Sequence, residues 1–488
     1  MKSAWLFFAL MAGTLVFAQD SATVLARILA SKGTISSSEL ASVESAAPGD
    51  RVVILAGLLQ QKGVITRGEF AQFGGAKAPA VTKQLATSTS ATDGSAGKPQ
   101  VAEAPPVTSQ SKLPITVYGT LLMNAFSDTS AMNIEDIPLF ASKQGSDALG
   151  NDKSFGMTAR QTRFGMRYTG TEIGGGKLSG QLELDFLGGK AAFGNGANMD
   201  LPRLRLAFGR LDWNLFSFEA GQDWSIFAPL NPTSYAEYAI PSMSASGNPW
   251  IRMPQIRAEL HGKISSAGKM LLQLAAIDPD MGDYNTTTFS SIRTPGIGER
   301  GRAPGVEARL AFTEDHQDRD FTVAISSHYT HGKNSGTVNN NALQLPLDSW
   351  GVAADYMLPF TEKFNVSGEL YTGRALGIFS VTSGEAILPL GGPGQAGVLS
   401  SGGWAQAEFN FTPRWQMNLV YGIDDPRVHD LLVGSRTRNQ SYMTNLIWKY
   451  TAHVLFALEY RRLLTDFRNQ PFANERGDTA NLAVGYLF

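Results

Sequence analysis

Apolar and polar residues alternate along most of the chain, from about residue 113 to its end. In the last segment, GDTANLAVGYLF, apolar residues occupy every second position from Ala480 to Phe488, with mainly small or polar residues between them. A period of two residues predicts a β-strand with one apolar face. Because the apolar stripe continues through Phe488, we expect this strand to have a neighbour on each edge and an apolar medium on one side.

About sixteen segments of this kind can be marked, each roughly nine to twelve residues long, which spans a bilayer when the strand is tilted. Short connections such as TEIGGG and DWN alternate with long ones. This layout, with short turns at one rim and long loops at the other, is typical of a bacterial outer-membrane barrel. The pattern therefore predicts an all-β fold, a transmembrane β-barrel of about 16 antiparallel strands over residues 113–488, closed by pairing of the last strand with the first. The segments begin near residues 115, 156, 177, 201, 216, 255, 269, 303, 320, 348, 364, 402, 415, 437, 453 and 479, and the long connections are 127–153, 223–254, 278–301, 374–400 and 462–478.

Aromatic residues cluster beside the predicted short turns and at the end of the chain. Such a cluster is typical of the girdle that a barrel carries at a membrane interface. The alternative, that these are core aromatics of a large soluble β-domain, explains neither the clustering nor the alternation of loop lengths. The residues are Tyr168, Trp213, Phe216, Phe312, Phe321, Phe360, Phe364, Phe411, Trp415, Tyr450 and Phe488.

The chain before residue 113 does not follow this pattern. Residues 1–18 combine Lys2, an apolar run and the small residues of VFAQD, which predict a secretory signal peptide cut after Ala18. Residues 73–112 are rich in Ala, Thr, Ser, Gly and Pro, which predicts a flexible linker. No other stretch approaches about eighteen consecutive apolar residues, so we expect no transmembrane helix in the mature chain.

Residues 19–72 contain a repeat with a spacing of 30 residues, in which LARILASKGTISSSEL is followed by LAGLLQQKGVITRGEF. Each copy has an apolar helical stretch, a Lys-Gly stop and a capping box, formed by Ser36 with Glu39 and by Thr66 with Glu69. The repeat predicts two helix-turn-helix units in a small periplasmic segment. A spacer or oligomerisation stalk is the simpler interpretation, since no cluster of reactive side chains indicates a ligand site.

The composition argues against several kinds of function. The chain has no cysteine, which excludes disulfides and thiolate metal sites, and its net charge of -2 gives no basis for nucleic-acid binding. His328 and His331 are three residues apart on a predicted strand and therefore lie on opposite faces, which makes a poor metal or catalytic pair. The glycine cluster GIGERG at 296–301 lacks the strand-to-helix context of a phosphate site. We expect no enzyme activity, no cofactor and no metal site.

The longest connection, residues 223–254, is the candidate for a loop that narrows the lumen. A barrel of about sixteen strands leaves a water-filled interior, and whatever narrows that interior decides what passes. The prolines and aromatics of this connection suit a compact inward loop, and an extracellular cap is the alternative. The candidate constriction residues are Asp223, Trp224, Tyr235, Tyr238, Trp250 and Arg252.

Arginines concentrate on the predicted lumen face of the barrel strands. Guanidinium groups stay charged and bind carboxylates or phosphates bidentately, so in a narrow channel they would attract anionic solutes. Acidic residues on neighbouring strands could instead pair with them as ladders that stiffen the wall, and the sequence leaves both interpretations open. The arginines are Arg163, Arg167, Arg203, Arg205, Arg257 and Arg309, and the acidic residues are Glu183, Asp185, Glu219 and Glu259.

Part of the barrel resembles a known family. The stretch RQTRFGMRYTGTEIGGGKLSGQLELDFLGG, followed by LPRLRLAFGRLDW, FEAGQDWSIFAPLNPTS and MPQIRAEL, is similar to the DcaP-like porins of Gram-negative outer membranes over about residues 160–260. The resemblance implies a homotrimeric, 16-stranded porin that takes up small anions such as dicarboxylates through an arginine-lined constriction. It also implies a heptad-like periplasmic coiled coil, from which the 30-residue repeat departs. The matching positions are Arg163, Arg203, Arg205 and Arg257, with Gln222, Asp223 and Trp224 opening the inward loop.

These patterns predict an outer-membrane porin for passive diffusion of small hydrophilic solutes, with a preference for dicarboxylate-like anions. The expected partners are these solutes, outer-membrane lipid and further copies of the chain. Two alternatives stay open. A carbohydrate-selective porin would use the loop aromatics for stacking, and a structural tether would contact peptidoglycan through residues 19–72.

Overall fold

The structure is a computed structural model that describes residues 18–31, 34–46, 51–62, 114–143, 152–189, 200–283, 295–315, 319–384, 388–468 and 474–488. The chain forms two units, Met1–Thr92 and Asp93–Phe488. The predicted linker, the second capping box at Thr66 and Glu69, and the predicted signal peptide apart from Ala18 lie outside the described residues.

Three helices form the described part of the first unit: α1 (Ala18–Ser31), α2 (Ser37–Ser45) and α3 (Arg51–Gln61). Among the described residues, no helix is both long enough and apolar enough to cross a membrane. The helices pack through one face each, because a short amphipathic helix is stable only when its apolar side is buried. The buried side chains are Ala26, Leu29, Ile35, Val43, Leu55 and Leu59.

The first predicted capping box is formed at the start of α2. The Ser36 amide donates to Glu39 Oε2 (2.6 Å), and the Glu39 amide donates to Ser36 Oγ (3.3 Å). The Ser36 amide, together with the Lys62 ammonium group 3.1 Å from the carboxylate, lowers the pKa of Glu39 below its usual value. The pattern Ser-x-x-Glu therefore sets the start of this helix.

The described residues of the second unit form one antiparallel sheet of seventeen strand segments. From β3 onwards each strand pairs with the next along the chain, as expected when turns and loops join antiparallel neighbours. The strands are β1 (Ile115–Asp128), β2 (Ser154–Thr158), β3 (Arg163–Ile173), β4 (Gly176–Asp185), β5 (Arg203–Asp212), β6 (Phe216–Trp224), β7 (Arg252–Lys263), β8 (Gly268–Ile277), β9 (Gly305–Asp315), β10 (Asp320–Val338), β11 (Asn341–Thr361), β12 (Phe364–Arg374), β13 (Leu399–Thr412), β14 (Trp415–Pro426), β15 (Arg436–Lys449), β16 (Val454–Phe467) and β17 (Asn474–Leu487), with short 3-10 helices at Glu299–Gly301, Gly377–Phe379, Thr382–Gly384 and Val428–Asp430.

The sheet closes into a barrel with sixteen strand positions. β17 pairs with β1, and Gly119 and Phe488 exchange backbone hydrogen bonds of 3.0 and 3.1 Å. β2 and β3 both pair with β1 and share one position, with residues 159–162 between them. The predicted closed barrel of about 16 antiparallel strands is confirmed. Glycine is required at 119, because a Cβ there would lie 2.6 Å from the Phe488 ring.

Two connections differ from the prediction. β11 begins at Asn341 rather than near residue 348, and a two-residue turn with positive φ at Asn339 and Asn340 joins it to β10. The predicted long loop at 462–478 is wrong, because β16 continues to Phe467 and β17 begins at Asn474. In both places the backbone ladder continues beyond the apolar stripe, so the hydrophobic period underestimates the length of the strands.

The side chains alternate between an apolar outer face and a largely polar interior. On β16, Leu458 and Tyr460 are exposed outward, whereas Glu459 and Arg461 are buried inside the barrel. Aromatic side chains form a rim at the short-turn end of the barrel, as the sequence predicted. Neighbouring rings in this rim include Phe360 and Phe364 (5.9 Å), Phe364 and Phe409 (5.0 Å), and Trp415 and Trp448 (5.5 Å).

Candidate functional site

The connection between β6 and β7, residues 225–251, lies inside the barrel and is almost entirely buried. It is bonded to inward-facing side chains on distant parts of the wall. Glu369 on β12 accepts a hydrogen bond from the Leu230 amide (2.5 Å). Asn445 on β15 donates to the Thr233 carbonyl (2.8 Å). The loop therefore crosses the interior, and its action as a constriction stays a prediction.

Gln161, in the break between β2 and β3, holds the loop through its side-chain amide. Its Nε2 donates to the Ala236 carbonyl (2.7 Å), and its Oε1 accepts from the amides of Tyr238 (2.7 Å) and Ala239 (3.0 Å). The side chain is fully buried and supplies partners that the loop backbone would otherwise lack. Gln161 was not among the predicted site residues, because a single glutamine carries no periodic signal.

Three of the predicted arginines bind the same segment of the loop. Arg163 Nη2 donates to the Tyr238 carbonyl (2.9 Å), and its guanidinium lies 3.9 Å from the centre of the Tyr238 ring. Arg203 Nη2 and Arg205 Nη1 both donate to the Ala239 carbonyl at 3.0 Å. We refer to Arg163, Arg203 and Arg205 as the arginine cluster. It fixes the position of the loop against β3 and β5.

Two carboxylates on β4 neutralise part of the arginine cluster. Glu183 Oε1 lies 2.7 Å from Arg205 Nε, and Asp185 Oδ2 lies 2.9 Å from Arg205 Nη1. Asp185 Oδ2 is also 2.6 Å from Arg203 Nη2. These are the cross-strand pairs that the ladder interpretation expected. Three guanidinium groups against two carboxylates leave an excess of one positive charge.

Arg203 and Arg205 have the same pattern in the sequence but different surroundings. Arg205 is the extra residue of a β-bulge in β5, opposite Glu183 and Leu184. Its side chain is 1% exposed, whereas those of Arg203 and Arg163 are 27% and 20% exposed. Arg205 is therefore enclosed by its partners, and the side chains of Arg163 and Arg203 stay partly accessible.

Arg167 lies on β3 nearer to the short-turn rim. Its guanidinium is 4.2 Å from the centre of the Tyr118 ring. The Tyr118 hydroxyl donates to Glu183 Oε2 (2.9 Å) and accepts from Gln181 Nε2 (2.5 Å). Tyr118 thus contacts both Arg167 and Glu183.

Arg257 and Arg309 belong to networks within the wall. Arg257 Nη2 lies 2.6 Å from Glu219 Oε2 and 3.0 Å from Asp223 Oδ2. Arg309 Nη2 lies 2.7 Å from Asp355 Oδ1, and its side chain is almost fully buried. The structure does not bring these two arginines together with the arginine cluster, and their contacts fit wall stiffening.

The predicted loop aromatics pack within the barrel. Tyr235 is buried and stacks on Tyr238 with 5.6 Å between the ring centres. The rings of Trp224 and Trp250 are 6.0 Å apart. Arg252, the first residue of β7, places its guanidinium 4.7 and 5.1 Å from these two ring centres. Ring faces that carbohydrate stacking would use are in contact with guanidinium groups or other rings.

Arg461 on β16 binds the loop from another part of the wall. Its Nη1 lies 2.5 Å from Glu237 Oε2 in the loop, and its Nη2 lies 3.0 Å from Glu459 Oε1. Nη2 also donates to Ser242 Oγ (2.7 Å). The alternation along β16 indicates that Arg461 faces inward, but its partner Glu237 lies in a segment without period, so the sequence did not reveal the pair.

The connection between β12 and β13 also enters the interior, although the sequence predicted it only as a long loop. The Phe379 ring lies 5.1 Å from the Phe227 ring, and the Phe379 carbonyl accepts from the Trp250 amide (3.2 Å). Asp424 on β14 accepts from the amides of residues 382–383 at 3.0 and 2.9 Å. Two connections therefore pack together inside the barrel.

The histidines lie where the strand period predicted. His328 faces inward, with Nδ1 3.2 Å from Glu307, and His331 faces outward, with Nδ1 2.7 Å from Asp348. Within the part of the chain that the structure describes, no group of three or more His, Asp or Glu residues could hold a metal ion.

Comparison with known proteins bears on the fold. No protein-family model and no curated protein matches the chain. The outer membrane channel DcaP of Acinetobacter baumannii is 18% identical, with a TM-score of 0.55 over 77% of this chain and 97% of that chain. An anion-selective porin from Comamonas acidovorans is 14% identical, with a TM-score of 0.45 over 77% of this chain and 99% of that one. The resemblance to DcaP-like porins is confirmed for the fold of the barrel.

Proposed function

We propose that this chain is an outer-membrane porin through which small hydrophilic solutes diffuse, with a preference for anions such as dicarboxylates. The observation that carries the proposal is the pair of partly exposed arginine side chains, Arg163 and Arg203, beside a loop that crosses a barrel of porin fold. Homotrimeric assembly and a periplasmic position of the N-terminal unit complete the proposal, and they rest on the family resemblance.

The outer face supports a membrane location. On β14 the outward residues from Trp415 to Tyr421 are apolar or aromatic, and the first outward charge is Asp425, ten residues from Trp415. Ten residues at about 3.3 Å each, tilted by about 40°, rise about 25 Å along the barrel axis. This height matches the apolar band of about 25 Å that outer-membrane barrels present to lipid.

The charges of the arginine cluster favour anions. Its three guanidinium groups face two carboxylates, Glu183 and Asp185, which leaves one more positive than negative charge at this end of the loop. Between low-dielectric walls, an excess of positive charge attracts anions more strongly than it would in bulk water. The two carboxylates of a dicarboxylate can each accept a forked pair of hydrogen bonds from a guanidinium group.

The reversal potential of the purified protein in a planar bilayer under a salt gradient tests the proposal. We expect anion preference in the wild type. Replacing the two accessible arginines, Arg163→Gln with Arg203→Gln, should shift the reversal potential towards cations because it removes two positive charges from the passage. Arg414→Gln, an exposed arginine in the short turn before β14, is the matched control and should leave the potential unchanged.

Four other results would count against the proposal. Cation preference in the wild type, or no shift in the double variant, would leave the arginines with only their loop-holding role. Faster uptake of sugars than of dicarboxylates of similar size into liposomes would favour a carbohydrate-selective porin. Absence of any conductance would favour a structural tether.

A further inference from the structure

An apolar groove of about 500 Å³ lies on the outer face of the barrel, across β12 to β16. The groove forms because β13 presents only the small side chains of Ala405 and Ala407 outward at this level. The neighbouring outward residues, Val366 on β12 and Leu419 on β14, are larger. Beyond this level on β12, the outward Leu370 is large and 58% exposed. The groove is therefore a shape feature of the face that meets lipid.

Two tyrosines, Tyr421 and Tyr442, mark the end of the groove that is nearer to the long-loop rim, and Tyr460 borders the groove on β16. The Tyr421 hydroxyl accepts from Gln440 Nε2 (2.8 Å), and the Tyr460 hydroxyl donates to Asp478 Oδ1 (2.7 Å). Tyrosines of this kind sit where the apolar layer gives way to polar headgroups. The groove thus runs from an apolar floor to a polar end.

One exposed arginine lies beside the tyrosines and a second lies beyond them. Arg462 is in register with Tyr442 and 3.9 Å from Asp478, and Arg438 lies four residues further along β15, 3.1 Å from Asp425. Their side chains are 48% and 50% exposed. A guanidinium group has five N–H donors, so each arginine keeps donors for a phosphate in addition to its carboxylate partner.

We propose that this groove with Arg438 and Arg462 is a binding site for one lipid A moiety of lipopolysaccharide. An acyl chain would lie over Ala405 and Ala407, and the two headgroup phosphates would each bind one of the two arginines, which lie four register positions apart. The polar end of the groove lies towards the long loops, which face the exterior in outer-membrane barrels, where the leaflet contains lipopolysaccharide. The inference rests on the proposed membrane location and is independent of solute selectivity.

Native mass spectrometry of the full chain in detergent, titrated with hexa-acylated lipid A, tests the site. We expect one lipid A to stay bound at concentrations at which phosphatidylglycerol does not. Arg438→Gln with Arg462→Gln, and separately Ala405→Phe with Ala407→Phe, should each lower the bound fraction about tenfold. Matched controls are Lys363→Gln with Arg414→Gln at the short-turn rim, and Ala480→Phe on the outer face of β17, all at exposed positions; these should bind lipid A like the wild type.

Each result supports or overturns the site. Equal binding of lipid A and phosphatidylglycerol would overturn the site, because it would indicate only a general attraction for anionic lipids. Loss of lipid A binding in the arginine variant but not in the alanine-to-phenylalanine variant would have the same meaning. Unchanged binding in both pairs of variants would also overturn it. A gel shift between heated and unheated samples verifies that the alanine-to-phenylalanine variant is a folded barrel. Conductance of the same preparations reports separately on the proposed porin function, because no changed residue lies in the lumen.

Discussion

Gln161→Met should release the middle of the inward loop. The methionine keeps the length of the side chain but removes the donor to the Ala236 carbonyl and the acceptor for the amides of Tyr238 and Ala239. Three backbone groups of the loop then lose their partner in a fully buried place. The arginine cluster still binds the carbonyls of Tyr238 and Ala239, so we expect the segment to loosen while the barrel stays folded.

The size of the effect follows from these three contacts. A buried polar group without a partner costs about 1–3 kcal/mol, so three groups would cost about 3–9 kcal/mol if the site stayed dry. Water can enter beside the partly exposed Arg163 and Arg203, so we take the lower end, about 3 kcal/mol. At about 1.4 kcal/mol for each factor of ten, amide hydrogen exchange in residues 236–239 should accelerate about a hundredfold.

Hydrogen exchange of the full chain, followed by mass spectrometry, measures this change, and single-channel conductance should rise as the loop gains freedom. Gln406→Met is the matched control, since Gln406 is also buried but bonds Thr233, so its effect should centre on that end of the loop. Wild-type protection of residues 236–239 in Gln161→Met would refute the assignment of Gln161 as the anchor.

Two further predictions concern ionic contacts. Arg461→Met leaves Glu237 and Glu459 buried without their cation, and should lower the free energy of unfolding in detergent by about 3–5 kcal/mol. Adding Glu237→Gln should recover part of this loss. Thermal unfolding of Arg461→Met that matches the wild type would contradict this prediction. In the helical unit the pKa of Glu39 is lowered from 4.5. The Glu39 carboxylate therefore stabilises the start of α2 fully above about pH 4.5, and this stabilisation is lost as the pH falls through the lowered pKa. Hydrogen exchange of residues 34–46 should therefore differ between wild type and Glu39→Ala at neutral pH and become equal in acid.

The fold was largely predictable because its signals are local. Alternation along β16 places Glu459 and Arg461 inside the barrel and Leu458 outside, and this alternation depends only on neighbouring residues of the same strand. The capping box at Ser36 and Glu39 is equally local. The strand ends were less predictable, since the ladder of β16 and β17 continues into polar sequence where the apolar period has stopped.

Local alternation alone predicts a closed barrel with an apolar exterior and arginines in its interior, because both follow from which residues occupy every second position. The surroundings of each arginine depend on contacts that form only in the folded barrel. A bulge encloses Arg205 while Arg203, two residues away, stays partly accessible. The loop meets Gln161 and Arg461 through contacts between residues 77 and 219 positions apart, and no local pattern records contacts that arise only when the closed wall brings distant segments together.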